Sequence, residues 1–323
     1  MTLIETGADV LVVTAKTQAA DEVVSLELRR PDGGRLPDWT PGAHLDLVLP
    51  DGTTRQYSLH GDPREAGAYR IAILREADGR GGSRYVHDEL REGDLVGFGG
   101  PRNTFRLTPA PSFAFVAGGI GITPMLPMLR AASLLGSSWR LLYLGRTRSR
   151  MAFLDELAPY GDRVTVRTSD EHGPTDIRSW FETGTDAAAT TQAKLYACGP
   201  TRLTDAISEL AVERRPGWTR VERFAAAEQG EPARTTPFDV EVAGSGRRVR
   251  VAPGVTVADA LRSAGFDLLT SCSRGVCGTC ETSIVAGVPD HRDAILDDAE
   301  RAEGACFFPC VSRSKSDRLV IAL

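Results

Sequence analysis

The stretch "CSRGVCGTC", Cys272 to Cys280, places three cysteines within nine residues of a 323-residue chain that contains only six. Cys310 follows after 29 further residues, so the spacing is C-x4-C-x2-C and then a distant C. This is the plant-type ligand arrangement of a 2Fe-2S cluster. Four thiolates are needed because each tetrahedral iron shares two sulfides with the other iron and takes two protein ligands. The motif therefore predicts an iron-sulfur cluster on this loop.

Two other interpretations of the cysteines are a zinc site and buried thiols without metal. Structural zinc usually shows two separated short cysteine pairs, whereas here one loop supplies three ligands and the fourth is alone. The spacing and the hairpin and helix before the loop favour iron and sulfide. Spacing does not choose between Cys306 and Cys310 as the fourth ligand, since Cys306 precedes two phenylalanines and is compatible with a small buried residue.

The sequence on the N-terminal side of the loop predicts a small domain. "FDVEVAGSGRRVRVAPG" reads as two alternating strands around a Gly-Ser-Gly turn, and "TVADALRSAG" as a helix capped by Thr256 and closed at Gly265. The polar stretch "AEQGEPARTTP", residues 227–237, is a linker candidate.

Farther upstream the pattern changes twice. From Phe113, buried strands alternate with helices, which predicts a parallel sheet of nucleotide-domain topology, with Pro124 at the first position of a helix. The first hundred residues contain short β-rich runs cut by turn signals, which predict a small antiparallel barrel. The predicted organisation is a barrel (1–108), an α/β domain (109–227), a linker (228–236) and a cysteine-containing domain (237–323).

Composition narrows the function classes. The net charge of -5 gives no global positive field for nucleic acid or an anionic membrane. The N-terminus lacks a secretory signal and no apolar run reaches the length of a membrane span, so a cytoplasmic, non-membrane location is expected. Clustered cysteines in that reducing compartment more often bind metal or do redox chemistry than form disulfides.

Four short motifs point to nucleotide and flavin binding. "GGIGITP", Gly118 to Pro124, is a glycine loop between a strand and a helix, where backbone amides approach a pyrophosphate, although it is not a full G-x-G-x-x-G. "YACGP" ends a later strand at the same carboxyl edge. "RQYSL" puts Arg55 and Tyr57 on one side of a strand, and "GRGGS" offers an anion nest beside Arg80. Singly, each is equally compatible with an ordinary turn or hairpin.

Together these motifs, with "GPRNTF" and "PCVSRSKS", occur in the order found in the phthalate dioxygenase reductase family, which the chain resembles over nearly its whole length. The resemblance implies an FMN-binding barrel, an NAD domain and a plant-type ferredoxin domain of β-grasp type. It favours Cys310, the cysteine of "CVSR", as the fourth cluster ligand. The residues it places around FMN are Arg55, Tyr57, Ser58, Ala72, Leu74, Gly81, Gly82, Ser83 and Thr123. Those around the nicotinamide nucleotide are Gly118, Gly119, Gly121, Cys198 and Pro200.

One segment departs from the expected coenzyme pattern. "YLGRTRSR" has no acidic residue at the strand end to hold a ribose 2'-hydroxyl, but has Arg146, Arg148 and Arg150. Arginine attracts a 2'-phosphate, so NADH is expected from the resemblance and NADPH is predicted to be accepted as well. A solvated basic turn is the alternative.

The predicted function follows from the three cofactors. Nicotinamide delivers a hydride, a 2Fe-2S centre accepts single electrons, and flavin does both, so electrons are expected to pass from NAD(P)H through FMN and the cluster to another protein. No acid-base residue is obligatory. By resemblance the acceptor is a Rieske non-haem iron oxygenase. This chain itself lacks Rieske Cys-x-His ligands and its histidines are scattered, so oxygen activation is expected on another protein. A cytochrome P450 acceptor and a non-catalytic redox sensor are the alternatives, and a monomer is expected.

Overall fold

The computed structural model describes residues 9–77, 81–183, 194–212, 218–224 and 230–323. Contacts divide the chain into two compact units, Met1–Glu222 and Arg223–Leu323. Within the described ranges, each helix is too short or too polar to cross a membrane. Arg80 and residues 228–229, the start of the candidate linker, lie outside the described residues. The domain boundaries at residues 108 and 227 stay predictions.

The first sheet is the predicted antiparallel barrel. Its strand order is β4-β3-β6-β1-β2-β5. The bounds are β1 Asp9–Ala20, β2 Val23–Arg29, β3 His44–Val48, β4 Thr54–Ser58, β5 Tyr69–Leu74 and β6 Leu95–Arg102. An antiparallel bridge between Leu59, just after β4, and Ile71 of β5 connects the two ends of this order, so the sheet closes on itself.

The barrel core follows the period of two that strands impose. Val24, Leu26 and Leu28 of β2 are buried together with apolar side chains from β1, β3, β5 and β6, and Tyr57 of β4 packs against them. A short helix, α1 Gly82–Asp88, packs beside the barrel. Lys16 of β1 fixes the C-terminal end of α1, because its Nζ donates to the carbonyls of Val86, His87 and Leu90 at 2.7 to 2.8 Å. The same end of α1 also contacts β5, since His87 Nε2 lies 2.9 Å from the Ile73 carbonyl oxygen.

The second sheet has the order β11-β10-β7-β8-β9, and β10, β7, β8 and β9 run parallel, as predicted. The strands are β7 Ser112–Gly118, β8 Ser138–Gly145, β9 Val164–Thr168, β10 Lys194–Gly199 and β11 Thr219–Arg223. The helices are α2 Ile122–Leu134, α3 Leu154–Leu157, α4 Ser169–His172, α5 Ile177–Thr183 and α6 Thr201–Val212, with 3₁₀ turns at Gly119–Gly121, Arg148–Arg150 and Ala158–Arg163.

The start of α2 corrects one prediction. Pro124 is the third residue of the helix and not the first, because the 3₁₀ turn at Gly119–Gly121 leads directly into α2 at Ile122. The missing N–H of proline costs nothing at either position, since the first four N–H groups of a helix have no intrahelical partner. Sequence punctuation therefore located the helix start only to within one turn.

The second unit contains a five-stranded sheet in the order β13-β12-β18-β14-β16 and a two-stranded pair, β15-β17. Its strands are β12 Phe238–Val242, β13 Arg248–Val251, β14 Thr282–Ala286, β15 Pro289–Asp290, β16 Cys306–Phe307, β17 Arg313–Ser314 and β18 Arg318–Ala322. Its helices are α7 Val257–Ser263 and α8 Asp298–Glu303. The Thr256 hydroxyl accepts from the Asp259 amide and caps α7, as the spacing predicts. Parallel pairing of β12 with β18 joins the ends of the domain around the buried Phe238 and Leu319.

Candidate functional site

The cysteine loop with Cys272, Cys277 and Cys280 lies between α7 and β14, Cys310 follows β16, and all four predicted ligands are buried. The Sγ atoms of Cys280 and Cys310 are 3.2 Å apart, and Cys272 is hydrogen-bonded to Cys277. The thiols thus form two pairs. In the described part of the chain, no group of three or more His, Cys, Asp or Glu side chains could hold a single metal ion. Two pairs fit the two irons of a 2Fe-2S cluster, each of which takes two protein thiolates.

Polar groups of the loop surround these sulfurs. The Arg274 amide donates to Cys272 Sγ at 3.3 Å, and the Thr279 hydroxyl lies 3.2 Å from Cys277 Sγ. The hydrogen bond with Cys277 is the largest cause that lowers the pKa of Cys272 to about 6, while it raises the pKa of Cys277. One thiol of this pair therefore ionises readily, and thiolate is the form that binds a metal.

Cys306 lies apart from the pairs. It is the first residue of the short strand β16, where it pairs with Ser283, and burial raises the pKa of its thiol to about 11. Cys310, by contrast, packs with Cys280 and Phe308 in one buried group. Cysteine spacing did not decide between Cys306 and Cys310 as the fourth ligand. The positions of their side chains favour Cys310.

The predicted flavin residues come together at one end of the barrel. Arg55 and Tyr57 of β4 lie opposite Leu47 and Leu45 of β3, so they share a face as predicted. The Arg55 guanidinium reaches the start of α1, since a Cβ on Gly82 would lie 3.0 Å from Arg55 Nε. A cationic side chain beside the α1 turn fits the phosphate end of a flavin nucleotide.

The rest of the predicted flavin set lies around β5. Tyr57 packs against the barrel core, and burial raises its hydroxyl pKa. Ala72 and Leu74 belong to the same apolar cluster as Ile120 of the glycine loop. The Thr123 hydroxyl donates to the Ile120 carbonyl at 2.9 Å, so it holds that loop in shape. Tyrosine, small apolar residues and this loop form a surface that suits a planar ring.

The two nucleotide loops pack directly on each other. A Cβ on Gly121 would lie 2.2 Å from the Cys198 carbonyl oxygen, so only glycine fits there. A Cβ on Gly118 would lie 2.7 Å from Leu203 Cδ2 and 2.8 Å from Pro200 Cδ. The loops after β7 and β10 therefore meet at the carboxyl edge of the parallel sheet, which is where such sheets bind ligands.

Sequence reasoning missed Glu222 of β11. Ser58 Oγ and Cys198 Sγ each donate to Glu222 Oε2 at 3.5 Å. The residue is partly exposed, but its carboxyl group lies deep enough that burial raises its pKa to about 7. Burial also raises the pKa of Cys198. A single glutamate in a strand carries no motif, so no sequence signal identified it.

The three arginines after β8 do not have equivalent surroundings. Arg150 forms an ion pair with Glu22 in the β1–β2 turn, and the Asp21 amide donates to the Ser149 carbonyl at 2.8 Å. Arg146 and Arg148 are exposed. Arg150 thus anchors the segment to the barrel, while the other two side chains face solvent at the end of β8.

Residues 240–315 match the family described as the 2Fe-2S iron-sulfur cluster binding domain. The phenoxybenzoate dioxygenase subunit beta of Ectopseudomonas oleovorans is 43% identical, with 96% of each chain covered. The phthalate dioxygenase reductase of Burkholderia cepacia is 39% identical, with 97% of each covered.

Two solved structures are also similar. A phthalate dioxygenase reductase structure described as a modular structure for electron transfer from pyridine nucleotides to [2Fe-2S] has a TM-score of 0.68 at 37% identity, with 100% of both chains covered. An intact type IV self-sufficient cytochrome P450 monooxygenase has a TM-score of 0.90 at 38% identity, and its match covers 98% of this chain and 41% of the longer one.

Proposed function

Because the chain belongs to the phthalate dioxygenase reductase family, we propose that it is the reductase component of an oxygenase system with a separate terminal oxygenase. The protein is an oxidoreductase that uses NADH, FMN and a 2Fe-2S cluster. When bound, FMN supplies the conversion between a hydride pair and the single electrons that an iron-sulfur cluster carries. The observation that carries the proposal is the arrangement of four buried thiols in two pairs.

We assign the cluster to Cys272, Cys277, Cys280 and Cys310. Around FMN, Arg55 supplies the cation for the phosphate, Tyr57 an aromatic edge and Ser58 a hydroxyl oxygen. The remaining residues proposed around FMN are Ala72, Leu74, Gly81, Gly82, Ser83 and Thr123. Their common position between β4, β5 and the glycine loop supports this assignment.

For the nicotinamide nucleotide we propose Gly118, Gly119, Gly121, Cys198 and Pro200. Glu222 joins them as the residue that fixes Ser58 and Cys198, since its Oε2 accepts from both. With a pKa of about 7, its carboxyl group holds a proton in mildly acid solution and loses it in mildly alkaline solution. Its hydrogen bonds orient the two donors in either state, and no residue of the chain is required as an obligatory acid or base.

The experiment that tests the proposal is NADH-dependent reduction of cytochrome c by the purified holoprotein. We expect turnover that depends on both the flavin and the cluster. A protein that holds both groups and gives no turnover would overturn the electron-transfer proposal and favour a redox sensor. Cys306→Ser serves as the matched control for any cysteine variant, because Cys306 lies outside the two pairs.

The proposed acceptor is a Rieske non-haem iron oxygenase. The relatives named as dioxygenase components support it, and they match this chain over nearly their whole lengths. A cytochrome P450 is the second candidate, because the match to the self-sufficient P450 monooxygenase has a TM-score of 0.90. Reconstitution of substrate oxidation with a purified Rieske oxygenase and, separately, with a purified P450 distinguishes the two acceptors.

We further propose that the protein acts as a monomer in the cytoplasm. Four thiols that must stay reduced until the cluster is inserted favour a reducing compartment. Sedimentation analysis of the holoprotein at several concentrations tests the oligomeric state. A concentration-dependent dimer would contradict that part of the proposal.

A further inference from the structure

The backbone of Gly275 in the cysteine loop is held by hydrogen bonds on both sides of its Cα atom. Its N–H donates to Cys310 Sγ, and its carbonyl accepts from the Ala294 N–H at 2.9 Å. Gly275 has a φ of +70°, and a Cβ there would lie only 3.0 Å from the Asp293 Cα. The segment around Asp293 therefore backs directly onto the peptide that donates to the cluster sulfur.

Asp293 shapes that segment with one carboxylate oxygen. Its side chain is 0% exposed, and its Oδ2 accepts from the amides of Ile295 at 3.1 Å and Leu296 at 2.9 Å. These bonds close a tight turn over residues 293–296. Since Ala294 lies inside the turn, the turn sets the direction in which its N–H points toward Gly275.

Helix α8 holds the same turn from outside. Arg301 donates to the Asp293 carbonyl from Nη2 at 2.6 Å and to the Leu296 carbonyl from Nε at 3.0 Å. The N-terminal end of α8 is itself fixed by a capping box between Asp297 and Glu300. The turn thus has an internal acceptor and an external pair of donors.

We propose that Asp293 is a positioning residue for the 2Fe-2S cluster. By fixing the turn it keeps the Ala294 N–H on the Gly275 carbonyl, and so keeps the Gly275 N–H directed at Cys310 Sγ. An N–H donor stabilises the reduced cluster more than the oxidised one, because reduction adds negative charge to the sulfurs. Asp293 therefore raises the reduction potential of the cluster through Gly275. This inference rests on the proposed assignment of Cys310 as a ligand.

The test compares Asp293→Asn with Asp293→Ala in the holoprotein. Both variants remove the carboxylate charge, but only asparagine keeps an oxygen that accepts from Ile295 and Leu296. The other carboxylate oxygen, Oδ1, accepts no hydrogen bond among the described residues and lies 3.8 Å from His291 Nδ1, an ion-pair contact that both variants lose. The difference between the two variants therefore isolates the turn from the charge.

The measurement is an anaerobic titration of the cluster with a chemical reductant, followed by electron paramagnetic resonance. We expect the alanine variant to have the more negative potential, with an about ten-fold shift of the oxidised-to-reduced ratio relative to asparagine, where ten-fold is 59 mV for one electron. Hydrogen exchange at the Gly275 amide should also be faster than in the wild type in the Asp293→Ala variant but not in the Asp293→Asn variant. Equal potentials and equal exchange in the two variants would overturn the proposal.

A second variant covers the case in which Asp293→Ala does not retain its cluster. Arg301→Lys keeps the positive charge but cannot bridge the Asp293 and Leu296 carbonyls in the same way. Its potential should shift in the same negative direction by a smaller amount, and a wild-type potential would overturn the inference. The titration needs neither NADH nor an oxygenase, so its outcome is independent of the proposed electron acceptor, whereas wild-type protein without a 2Fe-2S signal would refute the proposed function itself.

Discussion

The functional residues of the cysteine loop are close together in the sequence, whereas those of the nucleotide face, which comprises Ser58, Cys198, Glu222 and the glycine loop, come from distant segments. Three of the four thiols lie within nine residues, and backbone amides of the same loop reach the sulfurs. On the nucleotide face, Ser58 and Glu222 meet although 164 residues separate them. A site whose residues are close together in the sequence can be predicted from their spacing. A site whose residues are brought together by the order of strands in a sheet can be identified only from the structure.

The largest expected effect concerns the local site. Cys310→Ser should abolish the visible absorption of the iron-sulfur cluster, because the Cys280 and Cys310 pair loses one of its two thiolates. Flavin reduction by NADH should persist, since Cys310 belongs to the second unit of the chain and the proposed flavin residues to the first. Absorption spectra before and after anaerobic addition of NADH measure both effects.

Cys306→Ser is the control for that variant. Because Cys306 lies in β16 apart from the thiol pairs, the cluster absorption of the Cys306→Ser variant should equal that of the wild type. Loss of the cluster in Cys306→Ser, with retention in Cys310→Ser, would reassign the fourth ligand. It would also show that proximity of thiols in the apo loop does not identify ligands.

The next effect tests the flavin end of the barrel. Arg55→Ala should weaken FMN retention by roughly 10- to 100-fold, because a charge-assisted hydrogen bond to a partly buried phosphate contributes about 1.5 to 3 kcal/mol. Fluorescence titration of the apoprotein with FMN measures the dissociation constant. Arg91→Ala, at an exposed position of the same unit, is the control. Equal affinities of the two variants would remove Arg55 from the phosphate site.

A smaller effect tests the long-range site. The folded pKa of Glu222 is about 7, so the group is protonated below and ionised above that pH. A nearby carboxylate stabilises the positive charge that nicotinamide gains as hydride leaves, so the rate of flavin reduction should rise roughly ten-fold as pH passes through 7. Glu222→Gln should stay near the low-pH rate across that range. Stopped-flow flavin bleaching measures the profile, and a variant that retains the full pH dependence would contradict the role.

The raised pKa of Glu222 also predicts how the stability of the folded protein depends on pH. The protonated form is favoured in the folded state, so its stabilising contribution is present below the ordinary value of 4.5 and is lost as pH rises through about 7. Glu222→Gln should therefore flatten the decline in apoprotein stability over that window. Urea unfolding at pH 5 and pH 8 gives the comparison.

The smallest effect concerns coenzyme choice. Arg146 and Arg148 are exposed, so alanine at either position should lower kcat/KM for NADPH by up to about five-fold, with little change for NADH. Arg150→Ala should lower kcat/KM for NADH and for NADPH to a similar extent, because Arg150 pairs with Glu22 and anchors the segment. Steady-state kinetics with both coenzymes decide this. If all three variants lost kcat/KM equally for NADH and NADPH, the basic segment would be only a solvated turn.

Residue patterns in the sequence were sufficient for the barrel, the parallel sheet and the cysteine loop, because strand alternation, glycine loops and cysteine spacing are local signals, whereas the ferredoxin fold was expected from the family resemblance. They were also sufficient to bring Arg55 and Tyr57 onto one face. They failed at Pro124, because a 3₁₀ turn and an α-helix share the same start signals. They could not find Glu222 or separate Arg150 from its neighbours, because the partners of both residues come from distant strands and turns.

The contact between the β1–β2 turn and the segment after β8 bears on protein engineering. Transplanting residues 146–150 from a relative with another coenzyme preference would leave Glu22 without its ion pair wherever the graft lacks an arginine at position 150, although the Asp21 amide could still donate to the backbone carbonyl of residue 149. The two stretches, which lie more than a hundred positions apart in the chain, form one exchangeable module. Coenzyme specificity in this protein should therefore be redesigned with both stretches exchanged together.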